Sequence, residues 1–129
     1  MTRFSHTIIF VSDMKRSTKF YREVFGLPLR FESPEWTEFA TGSCSFALHK
    51  SADGPPKPLA ADHLPPGVCQ VGFTVTDLDE FHKRMVNEEV KCLQEPKVAD
   101  FGGKLAVYAD PDGMPISVAE AAVSSASSQ

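Results

Sequence analysis

The chain has 129 residues, 42% of them hydrophobic and ten of them phenylalanine, which is enough to build the core of one domain. Its formal net charge is −4 and its 13 Lys and Arg residues form no cluster, so it carries no electrostatic footprint for nucleic acid or an anionic membrane surface. The apolar run Ile8 to Val11 is too short for a signal-peptide core of about 7–15 residues or a spanning helix of about 20, and a soluble cytoplasmic protein is expected.

His6 to Ser12 reads as a strand, and Asp13 caps a helix with Met14, Tyr21, Val24 and Phe25 at helical spacing before Gly26 stops it. Leu29 to Glu32 and Trp36 to Ala40 are short strand candidates, and Thr41-Gly42-Ser43 turns the chain into a third at Cys44 to Lys50. Residues 51–67 hold Pro55, Pro56, Pro58, Pro65 and Pro66 and read as a connector without structure of its own. Beyond it Asp77 caps a second helix with Leu78, Phe81, Met85 and Val86 inward. Strand candidates follow at Val90 to Gln94, Leu105 to Ala109 and Ile116 to Glu120, with a strong turn at Asp110-Pro111-Asp112-Gly113. Residues 121–129 are a small, polar tail.

The two halves share a register. Phe10-Val11-Ser12-Asp13-Met14 returns 64 positions later, Asp13 to Asp77, as Thr74-Val75-Thr76-Asp77-Leu78: a strand end, a capping Asp and the helix behind it. The expected fold is therefore α+β, two tandem β-α-β-β-β modules at residues 4–50 and 68–120 within one domain spanning 1–129. Cys44, Cys69 and Cys92 are odd in number and lack any CxxC spacing, which argues against a disulfide framework or a structural zinc site. No phosphate-binding glycine loop or nucleophile elbow is present.

With His6 in the first strand, Asp13-Met14-Lys15-Arg16-Ser17, Phe20-Tyr21, Phe25-Gly26-Leu27, Val75-Thr76-Asp77-Leu78-Asp79 and Asp110-Pro111-Asp112-Gly113, the chain resembles the glyoxalase/bleomycin resistance/dioxygenase superfamily, the vicinal oxygen chelate fold, over residues 4–120. The resemblance implies modules that curve into a cup, often paired as homodimers, with metal ligands at equivalent strand positions of each module. Those positions fall here on His6, Gln70, Ala47 and Ser117. Ala47 has no donor and Ser117 is a poor ligand, whereas a catalytic divalent site needs about three protein ligands. No metal is therefore assigned, and ordinary lactoylglutathione lyase activity is not expected.

Replacement ligands are available in the sequence. If Gly42-Ser43 form a two-residue hairpin turn, Glu38 lies opposite Ala47 on the same face, and His49 shares that face by alternation. Glu120, three residues past Ser117, should face away unless a bulge shifts the strand. A metal set would thus be drawn from His6, Gln70, Glu38 and Glu120. His6 would serve as a general base if Glu38 oriented it. The ligand-binding cup is expected to hold His6, Trp36, Glu38, His49, Gln70, Phe101 and Ser117, with Phe101-Gly102-Gly103 as a mobile or closely approached loop, while His63 and His82 are expected to be exposed. Three readings stay open: a protein that binds a small organic molecule without chemistry, as bleomycin resistance relatives do; a divalent-metal lyase, isomerase or dioxygenase with a rearranged ligand set; and a structural dimer whose cup is filled by its own side chains.

Overall fold

The computed structural model describes residues 1–42, 44–54 and 66–122. His63, most of the proline-rich connector and most of the tail lie outside the described residues, as does Ser43 of the first hairpin turn. The alternation of the first strand and the capping signal at Asp13 set the first unit. Strand β1 (His6–Val11) leads into helix α1 (Met14–Lys19), whose N-terminus is capped by Asp13 Oδ1 accepting from the Arg16 N–H at 3.0 Å. A π-helical turn at Phe20–Val24 extends the helix. The Phe25 N–H reaches back to the Phe20 carbonyl at 3.0 Å, and the wider turn brings the Phe20 and Phe25 rings to 5.2 Å. Gly26, with φ 79°, ends it.

Strands β2 (Leu29–Glu32), β3 (Trp36–Ala40) and β4 (Ser45–Lys50) complete a four-stranded sheet in the order β1-β4-β3-β2. β1 lies parallel to β4, and the other pairs are antiparallel. Alternation then sorts the side chains. Val11, Thr37, Phe39, Phe46 and Leu48 are buried on the face that α1 covers, together with Tyr21 and Phe25. The opposite face carries His6, Ile8, Phe10, Trp36, Glu38, Ala47 and His49.

The second unit repeats the plan with β5 (Val71–Val75), α2 (Leu78–Asn87), β6 (Cys92–Val98), β7 (Lys104–Ala109) and β8 (Pro115–Glu120), in the order β5-β8-β7-β6. Asp77 caps α2 as Asp13 caps α1, accepting from the Glu80 N–H at 3.1 Å. The fold is α+β with two tandem β-α-β-β-β modules, as the sequence implied, and the compact units run Met1–Lys57 and Pro58–Gln129. The Asp110 turn is built by its side chain: Oδ1 accepts from the Asp112 and Met114 N–H groups, both at 2.9 Å.

Three expectations need correction. β6 runs on to Val98 through Pro96 instead of ending at Gln94, because it is an edge strand with two register shifts, where a missing N–H breaks no ladder. Val86 is exposed, and the buried side of α2 is Leu78, Phe81 and Met85. His82 is half-buried and lies 2.9 Å from the Tyr108 hydroxyl through Nδ1.

Candidate functional site

The unit-one face that α1 leaves uncovered is organised around one carboxylate. Glu38 pairs with Ala47 across β3 and β4, as the hairpin register required. Its Oε1 accepts from Trp36 Nε1 at 3.2 Å, and its Oε2 accepts from Ser45 Oγ at 3.1 Å and from Arg30 Nη1 at 3.3 Å. These donors hold the Glu38 carboxyl below its ordinary range. The Trp36 bond contributes most and Ser45 next; burial opposes them, and the nearby charges of Arg30 and His6 add smaller downward contributions. The carboxylate is thus kept ionised and is satisfied from within the unit.

Trp36 lies across the face. Its ring is edge-on to His6 at 6.2 Å and to His49 at 6.0 Å, while its N–H reaches Glu38, so the indole spans the row where Ala47 sits. Ala47 is accordingly fully buried although it faces away from the helix. His49 donates from Nδ1 to the Lys50 carbonyl at 2.7 Å, which fixes the direction of its ring. Phe10 packs on the other side of His49 at 5.0 Å. Around this cluster Ile8, Phe10 and Phe31 expose large apolar surface.

The sequence residues thus divide in space. His6, Trp36, Glu38 and His49 share one face of one sheet. Gln70 precedes β5 and is exposed. Ser117 stands opposite Gly72, on the side of the second sheet away from α2. Phe101 sits at the exposed tip of the β6–β7 hairpin, closed by the Ala99 N–H to the Gly103 carbonyl at 2.8 Å. Glu120 is removed from the ligand candidates. It faces the helix side, as alternation required, and its Oε1 accepts the Leu78 N–H at 2.8 Å at the start of α2. His6 Nδ1 lies 2.7 Å from Ser5 Oγ, while Glu38 accepts from Trp36, Ser45 and Arg30. Arg30 and Ser45 went unnoticed in the sequence. Ser45 was within reach, being two residues from Ala47 on the same face.

The family model described as Glyoxalase/Bleomycin resistance protein/Dioxygenase superfamily matches residues 3–118. The chain belongs to this superfamily. Among solved structures, it resembles a glyoxalase/dioxygenase from Nostoc punctiforme at 16% identity and TM-score 0.79, covering 92% of this chain and 90% of that one. It also resembles a lactoylglutathione lyase from Agrobacterium tumefaciens at 20% identity and TM-score 0.71, covering 93% and 94%. A protein of unknown function from Agrobacterium tumefaciens str. C58 aligns at 26% identity and TM-score 0.73, covering 94% and 95%. No match was found among the curated proteins.

Members of this superfamily often hold a divalent metal, and the residues here do not fit one. Ala47 offers no donor atom, the Glu38 oxygens are already taken by three donors, and the indole crosses the space in front of them. Among the described residues no group of three His, Cys, Asp or Glu side chains is arranged to hold a metal ion. No described helix is long and apolar enough to cross a membrane.

Proposed function

We propose that this superfamily member binds a small, partly apolar organic molecule on the exposed face of the first module's sheet, and does so without a metal. One observation carries the reading: Ile8, Phe10 and Phe31 expose apolar surface around a Trp36 that is held by the Glu38 carboxylate. Large apolar side chains grouped on an exposed face and flanked by a few oriented polar groups are the usual make-up of a small-molecule site. His6 and His49 supply polar edges beside the indole. The rival, a metal-dependent lyase, isomerase or dioxygenase, would have to draw ligands from His6 and Glu38.

The test uses the chain's single tryptophan. Its fluorescence should change saturably when small aromatic molecules are titrated in, and Trp36→Phe should abolish the signal while calorimetry still detects weakened binding. Metal analysis of protein purified without chelator should give well under one equivalent. Stoichiometric metal that is lost in both His6→Ala and Glu38→Ala would overturn the metal-free reading in favour of the enzyme. We further propose a cytoplasmic homodimer, the superfamily's common assembly; a monomer mass by light scattering at working concentration would exclude the dimer.

A further inference from the structure

Resting on that ligand-binding reading, we propose that the molecule taken by this face is a small carboxylate with an apolar body, and that Arg30 recognises it. The origin of the arrangement is a bulge. Leu29 pairs with Phe39 on the helix side, and a regular antiparallel register would then place Phe31 opposite Thr37, also on the helix side. Instead the register shifts between Leu29 and Phe31, so that Phe31 pairs with Glu38 and Arg30 is the extra residue. The bulge turns a phenylalanine that would have entered the core out to the exposed face. It also leaves the Arg30 guanidinium beside it, against Glu38.

Donor accounting gives the sign of the ligand. Glu38 accepts three hydrogen bonds, close to its capacity of about four, so it has little left for a cationic ligand. An ammonium group could add only at Oε1, which already accepts from Trp36. Arg30 has five N–H donors, gives Nη1 to Glu38, and keeps 52% of its side chain exposed. The surplus around Arg30 is therefore of donors, kept on this face by the Glu38 contact, and what they lack is a planar pair of acceptor oxygens. Phe31 lies in the adjoining exposed position and would cover the apolar body of the same molecule.

The experiment compares three probes of one shape: phenylacetate, its neutral amide phenylacetamide, and the cation 2-phenylethylammonium, each titrated into the full chain and followed by Trp36 fluorescence and calorimetry. Phenylacetate should bind about tenfold or more tighter than the amide, with the ammonium weakest. Arg30→Gln should bring acid and amide within about threefold of each other, and Arg30→Lys, which keeps the charge without the fork, should fall between. Phe31→Ala should weaken acid and amide in parallel and leave their ratio unchanged. Urea unfolding of each variant shows that the fold is intact. Equal binding of the three probes by the unaltered protein, a preference for the ammonium, or an acid-to-amide ratio untouched by Arg30→Gln would overturn the carboxylate assignment while leaving ligand binding standing. Failure of all three probes to bind would overturn both.

Discussion

The two modules share a topology and a register yet present opposite surfaces on the side their helices leave uncovered. In the first, Ile8, Phe10, Trp36, Glu38 and His49 crowd that side with large and polar groups. In the second, the matching strands place Gly72, Thr74, Leu105, Val107, Ser117 and Ala119 there, none of them aromatic or charged. On the helix side the halves stay alike: Val11 recurs as Val75, each helix is capped by an Asp, and buried Tyr21 recurs 64 positions on as buried Met85. The repeated scaffold is held by its helix-facing half. The other half is free to differ, and only the first module has used that freedom to build a cluster.

Inserting a carboxylate at the two equivalent last-strand positions should separate the modules most. Ala47→Glu would force a charge into a fully buried place directly opposite Glu38 and beneath the indole, and should cost roughly 3–5 kcal/mol in urea unfolding. Ser117→Glu, half-exposed and facing Gly72, should cost less than about 1 kcal/mol. Similar losses at the two positions would remove the distinction. Gly103→Ala comes next. A methyl group there would run into the Glu120 carbonyl and the Phe101 ring, so the second module's hairpin must open, at about 1–3 kcal/mol.

Smaller effects concern the helix ends. The first helix ends on Gly26 at φ 79°, whereas the second is followed by Glu89 at φ 60°, a left-handed position occupied by a residue with a Cβ. Glu89→Gly should therefore stabilise the protein by about 0.5–1 kcal/mol, read as a rise in the urea midpoint, and Gly26→Ala should do the reverse. The least effect is the pH response of Glu38. Its folded carboxyl titrates below its unfolded value, so its contribution to stability is present above the unfolded value and lost as pH falls through the lower folded one. Glu38→Gln should flatten the acid limb of the stability profile in that window, and an unchanged limb would mean that Trp36 and Ser45 hold the neutral carboxyl as well as the charged one.

What could be read in the sequence follows from the range of each signal. Caps and turns are local, and Asp13, Asp77 and the Asp110 turn are placed by their own side chains within a few residues. The facing of Glu38 and Ala47 needed only alternation and a hairpin. Arg30 could not be found that way, because strict alternation puts Leu29 and Phe31 on one face, and only the bulge separates them. The run of β6 through Pro96 was hidden for a related reason: whether a proline ends a strand depends on which neighbour the strand has, and an edge strand has one. The partners of Glu38 were equally hidden. They depend on the path of an indole across a sheet, which no spacing encodes.

The parallel pairing of first and last strands bears on how the chain acquires its structure. β1 has no partner until β4 exists, and β5 none until β8 exists, so neither sheet can close by adding neighbouring hairpins one at a time. Each module's closing contact spans nearly its whole sequence, the kind of long-range contact that slows folding. During synthesis the first module has all its strands once Lys50 has emerged, while the second must wait for Glu120. The half that carries the aromatic cluster is thus the first able to fold, and its exposed Phe10 and Phe31 face solvent while the remaining chain is still being made.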